Sequence, residues 1–423
     1  MSDLQKSFMK KKFTPYHPSQ APVLEEREED APATTMNEGE DDSSDQSSTG
    51  TVVPSPTENL FAKPNLTRRS GQSRNGSADA LNWTEFFAQE ITVEQEAGDL
   101  RITHHAYLTP PGTSGSGSSP LFVMHHGAGS SGLSFAVVAK EIRELLPNAG
   151  ILSLDARHHG DTTVKKVSSS STADEAVELD LRLETLSRDV VYVIRQVQAQ
   201  MGWKELPDLV LVGHSLGGAV VTDVAKGGEL GSKVLAYAVL DVVEGSAMSA
   251  LKSMDTYLST RPTRFASVQD AIEWHIRSRT IRNSVSARIS VPSLIRKEEN
   301  PADAERPWVW KTSLADTKPF WENWFVGLSK KFLEARGGKL LLLAGTDRLD
   351  TELTIGQMQG KYQLQIFPLS GHFIQEDMPS QTAQVLVDFF SRNDRGALVL
   401  PPKVADMKAT QAMQKGAGGG PKP

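Results

Sequence analysis

The sequence predicts an α/β fold: a mostly parallel central sheet flanked by helices, with a helical cap inserted late in the chain. Three observations predict it. Short apolar runs alternate with amphipathic stretches between residues 81 and 396, the pattern of buried parallel strands joined by crossover helices. The run Leu209-Val-Leu-Val-Gly-His-Ser-Leu-Gly-Gly218 passes from strand to glycine-rich turn to a small-residue helix start. Between Glu244 and Arg336 lies an interruption of roughly ninety residues, far beyond an ordinary connection between neighbouring elements.

The elements follow in order. An antiparallel strand or two is expected within Glu90–Leu108. The remaining strands are expected at Leu121–His125, Gly150–Asp155, Leu209–Val212, Val234–Asp241, Lys339–Gly345 and Gln363–Pro368. Helices are expected at Phe135–Leu146, Leu183–Gln200, Gly217–Ala225 and Gln381–Phe390. In the second helix Leu183, Leu186, Val190, Ile194 and Val197 fall on one face, the spacing that buries a stripe against a sheet.

Residues 81–243 and 337–396 are thus two parts of one core, and 244–336 is the cap. The cap holds five of the seven tryptophans: Trp274, Trp308, Trp310, Trp321 and Trp324. Large aromatics fill cores and recognition surfaces alike, so the cap's own core and the wall of a site are both open readings. Residues 1–80 are rich in Ser, Thr, Pro, Glu and Asp and poor in periodic apolar positions. Such a segment cannot bury enough surface to offset its ordering entropy, and it is expected to be a disordered acidic tail. Residues 397–423 close on Gly-Ala-Gly-Gly-Gly-Pro-Lys-Pro and are expected to be flexible.

Composition excludes several classes. The 423 residues contain no cysteine, so disulfides, thiolate nucleophiles and Cys-ligated metals are out. The net charge of −7 is local: Glu25–Asp45 carries ten acidic residues against one arginine, which leaves the rest near neutral. A nearly neutral body lacks the basic footprint of a nucleic-acid binder. No apolar run is long enough to span a membrane, and MSDLQKSFMKKKF lacks the apolar stretch of a secretory signal. The expectation is a soluble intracellular protein of cytoplasm or nucleus. Ser168–Ser171 beside Lys165-Lys166 raises the idea of phosphorylation, but polar clusters of this kind usually mark a loop.

Gly213-His-Ser-Leu-Gly217 is a G-x-S-x-G nucleophile elbow in its required setting, strand before and helix after. A serine at such an apex is held in a strained backbone conformation that lifts its hydroxyl clear, and small neighbours let strand and helix close up. Ser215 is therefore the candidate nucleophile and the architecture is that of an α/β-hydrolase. The plainer reading is a glycine-rich turn whose serine only caps the helix.

A serine hydroxyl needs a base. In this fold the histidine comes last in the chain, and Ser370-Gly-His-Phe373 follows the last strand and precedes the last helix. His372 is the candidate base. The doublets His104/His105, His125/His126 and His158/His159 lack recognisable metal-ligand spacing, and His214 reads as structural. The acid is contested between Asp347, after the next-to-last strand, and Asp241, at the end of the strand before the cap. The strand order alone favours Asp347. Two main-chain N–H groups must face the oxyanion: Leu216, just after the nucleophile, and Ala128, in the loop His126-Gly-Ala-Gly129.

Several stretches resemble the protein phosphatase methylesterases. They are Trp83-Thr-Glu-Phe-Phe87, His126-Gly-Ala-Gly129, Asp155-Ala-Arg-His-His-Gly160, Gly213-His-Ser-Leu-Gly-Gly218 and Asp241-Val-Val-Glu-Gly245. Further matches are Ala271-Ile-Glu-Trp-His275, Ile281-Arg-Asn283, Leu340-Leu-Leu-Leu-Ala-Gly345, Asp347-Arg-Leu-Asp350, Thr354-Ile-Gly-Gln-Met-Gln-Gly360 and Gly371-His372. The resemblance covers about residues 80 to 392. It implies a serine esterase that removes the methyl ester from the C-terminal leucine of the protein phosphatase 2A catalytic subunit, without metal or organic cofactor. It also implies that the triad acid is the aspartate ending the strand before the cap, Asp241, which reverses the preference for Asp347. The long charged cap insert of animal members is absent, since Ile295–Pro307 is short. Competing readings are a small-molecule carboxylesterase or lipase of the same fold, and a non-catalytic binder that sequesters the phosphatase.

Overall fold

A computed structural model describes residues 79–112, 119–167, 177–345, 349–394 and 396. The two chain ends, Ser168–Ser171 and Asp347 lie outside the described residues. The strands are β1 (Gln89–Ala97), β2 (Leu100–Thr109), β3 (Leu121–His125), β4 (Gly150–Leu154), β5 (Thr163–Lys166), β6 (Leu209–His214), β7 (Val234–Leu240), β8 (Arg264–Phe265), β9 (Ile295–Lys297), β10 (Trp308–Trp310), β11 (Gly338–Leu343) and β12 (Gln363–Ile366). The helices that matter below are α1 (Ala136–Leu145), α2 (Leu183–Gln200), α3 (Leu216–Gly227), α4 (Glu244–Leu251), α5 (Met254–Thr260), α6 (Val268–Arg277), α7 (Ser284–Ser290), α8 (Trp321–Phe325), α9 (Leu328–Glu334), α10 (Thr351–Met358), α11 (Ile374–Asp377) and α12 (Pro379–Asn393).

The main sheet runs β1-β2-β4-β3-β6-β7-β11-β12, with β5 also paired to β2. From β4 to β12 every neighbour is parallel, and the β1–β2 hairpin joins antiparallel through β2. All residues of β3, β4, β6 and β7 are buried, as continuous apolar runs require when both faces are covered. The period of two sorts them: Leu121, Val123, Leu209 and Leu211 face one core, whereas Phe122, Met124, Val210 and Val212 face the other. The first face is covered by α2 and α3, whose Leu186, Val190, Ile194, Val220 and Val224 join that cluster. The second is covered by α1 and α12 through Val138, Ile142, Leu386 and Phe390.

Residues 244–336 hold helices and also a three-stranded antiparallel sheet, β8-β10-β9. Their tryptophans divide. Trp274, Trp308 and Trp310 pack in a separate cluster around Phe265, Ile272 and Ile295. Trp321 and Trp324 instead join the larger core beside α3. Two bonds fasten this region to the start of α2 and the chain just before it: Asn323 Oδ1 accepts from Leu183 N at 2.7 Å, and Trp324 Nε1 donates to Leu181 O at 2.6 Å. The first satisfies a main-chain donor that a helix start leaves open. Among the described residues no helix is long and apolar enough to cross a membrane.

Candidate active site

The strand order brings the carboxyl ends of β3, β6 and β7 together, and Ser215 and Asp241 follow the last two. Ser215 has φ 52° and ψ −119°, in the sparsely populated region that costs a non-glycine residue of order 1–3 kcal/mol. The glycines beside it explain how the turn closes. A Cβ on Gly213 would sit 2.0 Å from Gly217 O, and one on Gly217 would sit 2.0 Å from His125 O. No side chain fits either position, so β6, α3 and the end of β3 touch through bare backbone. The Ser215 amide donates to Leu240 O at 3.0 Å, adding a rung beyond the end of β6.

Asp241 is built alike. It has φ 52°, its amide donates to Leu342 O at 2.8 Å, and its side chain is fully buried. Its Oδ1 accepts from Ala344 N at 2.9 Å and its Oδ2 meets His372 Nδ1 at 2.8 Å. A carboxylate at Nδ1 holds that proton and leaves Nε2 free as an acceptor, the tautomer a general base needs. His372 arrives on the loop between β12 and α11 and keeps part of its side chain accessible.

Ser215, Asp241, His372, Leu216 and Ala128 line one cavity of about 380 Å³. Its apolar wall comes from Leu251, Met254, Tyr257, Trp321, Trp324 and Phe325, and Arg277, Arg279 and Arg282 stand among its polar residues. The Ser215 hydroxyl and the His372 ring share this cavity without a hydrogen bond between them. Leu216 N–H opens α3, where main-chain donors have no intrahelical partner. Ala128 N–H makes no hydrogen bond to a described residue, while its neighbours Gly129 and Ser130 both do.

The sequence reading missed how the histidine doublets serve the site. His126 takes Ala156 N–H on Nε2 at 3.0 Å and donates from Nδ1 to Gly127 O at 2.7 Å. His159 takes Gly129 N–H at 2.9 Å and donates to Arg157 O at 2.7 Å. Each ring uses one nitrogen to donate and the other to accept, so both are neutral. Burial pushes His159 down to about 4 and His126 well below its usual value. Together they brace the Ala128 loop against the loop after β4. Asp155 completes that brace: it accepts from Gly132 N at 2.7 Å and from Asp161 N at 3.0 Å, and its Oδ2 meets His105 at 2.8 Å. The sequence signal was the position of these residues just past two central strands, but only the fold shows which nitrogen does what.

Comparisons with known proteins give the family. The model of the alpha/beta hydrolase family matches residues 122–385. A protein phosphatase methylesterase 1 of Aspergillus fumigatus is 65% identical over 99% of this chain and 96% of its own length. Proteins of the same name from Neurospora crassa and Schizosaccharomyces pombe are 54% and 45% identical, covering 97% and 80% of this chain and 99% and 92% of their own lengths. Among solved structures, E-2-(acetamidomethylene)succinate hydrolase superposes with a TM-score of 0.53 at 16% identity, over 72% of this chain and 100% of its own. The peroxisomal α/β-hydrolase Lpx1 of Saccharomyces cerevisiae gives 0.52 at 12% identity, over 78% and 97%; at such identities the likeness speaks for the fold alone. On the sequence relatives and the family model, the chain belongs to the protein phosphatase methylesterases, enzymes of the alpha/beta hydrolase family.

Proposed function

We propose that this protein hydrolyses the methyl ester on the C-terminal leucine of the protein phosphatase 2A catalytic subunit, with Ser215, His372 and Asp241 as its triad. The observation that carries the reading is the 2.8 Å contact of His372 Nδ1 with the buried Asp241 carboxylate, in the same cavity as the strained Ser215. In the reaction His372 Nε2 comes within hydrogen-bond reach of Ser215 Oγ and takes its proton as Oγ attacks the ester carbonyl. The carbonyl oxygen gains charge facing Leu216 N–H and Ala128 N–H, each such donor being worth about 3 kcal/mol of barrier. His372 then gives its proton to the leaving methoxide. A water, deprotonated by the same imidazole, splits the acyl-enzyme and leaves the free leucine carboxylate.

The apolar wall of Leu251, Met254 and Phe325 suits a leucine side chain. The test is demethylation of methylated phosphatase by wild type, Ser215→Ala, Asp241→Asn and Asp347→Asn. Loss of activity in the first two is expected, with Asp241→Asn down by about 10⁴ and Asp347→Asn close to wild type. Near-normal turnover by Asp241→Asn with collapse of Asp347→Asn would overturn the assignment of the acid. Undiminished demethylation by Ser215→Ala would overturn the esterase reading.

A further inference from the structure

A second, smaller chamber opens behind the Ser215 cavity. Ala128, Tyr257, Thr280, Leu314 and Phe373 line both spaces. The chamber holds about 40 Å³, enough for roughly three waters or one carboxylate group. Its one strongly basic side chain is Arg261.

Arg261 is held rigidly. It ends α5 in an extended conformation, as a residue before proline must. Its guanidinium carbon lies 3.4 Å from the centroid of the Trp310 ring. Trp310 is itself fixed, because its Nε1 donates to Pro262 O at 2.7 Å and Phe265 and His275 pack edge-on against it at 5.2 and 5.6 Å. The aromatic face covers one side of the guanidinium and leaves the in-plane N–H fork free.

No described residue takes that fork. Arg261 makes no ion pair and no side-chain hydrogen bond among them, and of the described groups only Tyr257 acts on its charge. Glu376 also lines the chamber, but burial raises its pKa well above the normal carboxyl value, and its Oε2 accepts from Ser290 at 2.5 Å. Glu376 forms no ion pair with Arg261. Burial in turn lowers the pKa of Arg261, as it does for a cation without a compensating anion. Ser130, buried on the same wall, has a hydroxyl that makes no hydrogen bond to a described residue.

We propose that this chamber is a carboxylate subsite, in which the Arg261 fork, stacked on Trp310, holds a small carboxylate beside the Ser130 hydroxyl. Two parallel N–H donors match the two oxygens of a carboxylate, and the space excludes a bulkier anion. The group has two possible sources: a free small carboxylate, or the leucine carboxylate that ester hydrolysis releases next door. Only the second source rests on the proposed esterase function.

The test uses the full chain as wild type, Arg261→Met and Arg261→Lys, with sodium formate as probe. Formate at tens of millimolar is expected to raise the wild-type melting temperature by a few degrees, to raise Arg261→Lys less, and to leave Arg261→Met unmoved. The second arm compares a leucine-terminated product peptide with its C-terminal amide as inhibitors of ester turnover. Product occupancy makes the acid about tenfold tighter than the amide, and Arg261→Met removes the difference. A formate response without that difference keeps the subsite and assigns it to free carboxylates. Equal formate responses in wild type and Arg261→Met overturn the subsite, while intact demethylation leaves the esterase reading standing. If Arg261→Met does not fold, wild-type crystals soaked in sodium formate decide the matter: no formate bound against the guanidinium overturns the proposal.

Discussion

His214 Nε2 donates a hydrogen bond to the main-chain carbonyl of His372 at 2.9 Å. The carbonyl can only accept, so the His214 proton sits on Nε2. Burial, followed by the neighbouring His372, pushes the ring down to about 3, and it stays neutral. The residue before the candidate nucleophile thereby fixes the loop that carries the candidate base, with the two rings 4.6 Å apart.

Replacing His214 by Phe keeps the ring and deletes the N–H. The expected result is a fall in kcat of about 10²-fold with KM little changed, the size of effect that a small misplacement of a reacting group produces. His214→Gln, which restores a donor, should recover part of it. Steady-state kinetics on an ester substrate, with a thermal melt to confirm folding, checks this. A parallel loss in both variants would speak against positioning through this bond.

Two glycines at opposite ends of α3 should answer alanine differently. Gly217→Ala drives a Cβ to 2.0 Å from His125 O and 2.7 Å from His126 O, both backbone atoms. Destabilisation above about 3 kcal/mol or loss of soluble protein is expected. Gly227→Ala meets nothing within 4 Å and should be neutral or stabilising by up to about 1 kcal/mol. Chemical denaturation of both variants provides the comparison.

Arg157 and Asp189 form a buried bidentate pair, with Nε–Oδ2 at 2.5 Å and Nη2–Oδ1 at 2.8 Å. Arg157 belongs to the loop after β4 and Asp189 to α2. Asp189→Asn leaves the guanidinium buried without its charge partner, at an expected cost of about 3–5 kcal/mol. The double variant Arg157→Met/Asp189→Leu should be less destabilised than that single one. A double variant worse than Asp189→Asn would show that the pair does more than compensate its own burial.

Acid should unfold this protein through its buried histidines. Burial pushes His125, His159 and His275 down to about 4. In the unfolded chain the same rings titrate near 6.5, so the unfolded state binds protons first as pH falls. Their contribution is complete above pH ~6.5 and disappears progressively toward pH ~4. Denaturation midpoints should drop steeply across that window, and a flat profile would contradict the neutral, buried state of these rings.

Much of this was legible in the sequence because the signals were strong and local. The apolar runs at Leu121, Leu209 and Leu340 are strands buried on both faces, and α2 spans the expected Leu183–Gln200. The short strands β8, β9 and β10 escaped, since two or three residues carry no period. So did β5, which is polar and largely exposed and pairs only with β2. The division of the tryptophans between two clusters was invisible because it depends on which face each helix presents. For the acid, the order of elements pointed to Asp347 and the family resemblance to Asp241. In the structure Asp241 Oδ2 meets His372 Nδ1, and Asp347 lies outside the described residues. That no described residue takes the Arg261 fork could not be read from the sequence, since a missing partner is a property of space.

The rungs that Ser215 and Asp241 add beyond β6 and β7 have a consequence for timescale. Each residue donates its amide to the last or next-to-last carbonyl of the adjoining strand, so neither turn can open unless the sheet itself opens. Deuterium should therefore enter these two amides about as slowly as it enters the strand centres, and far more slowly than the exposed α10. The rim that carries the candidate nucleophile and the candidate acid inherits its stillness from the interior.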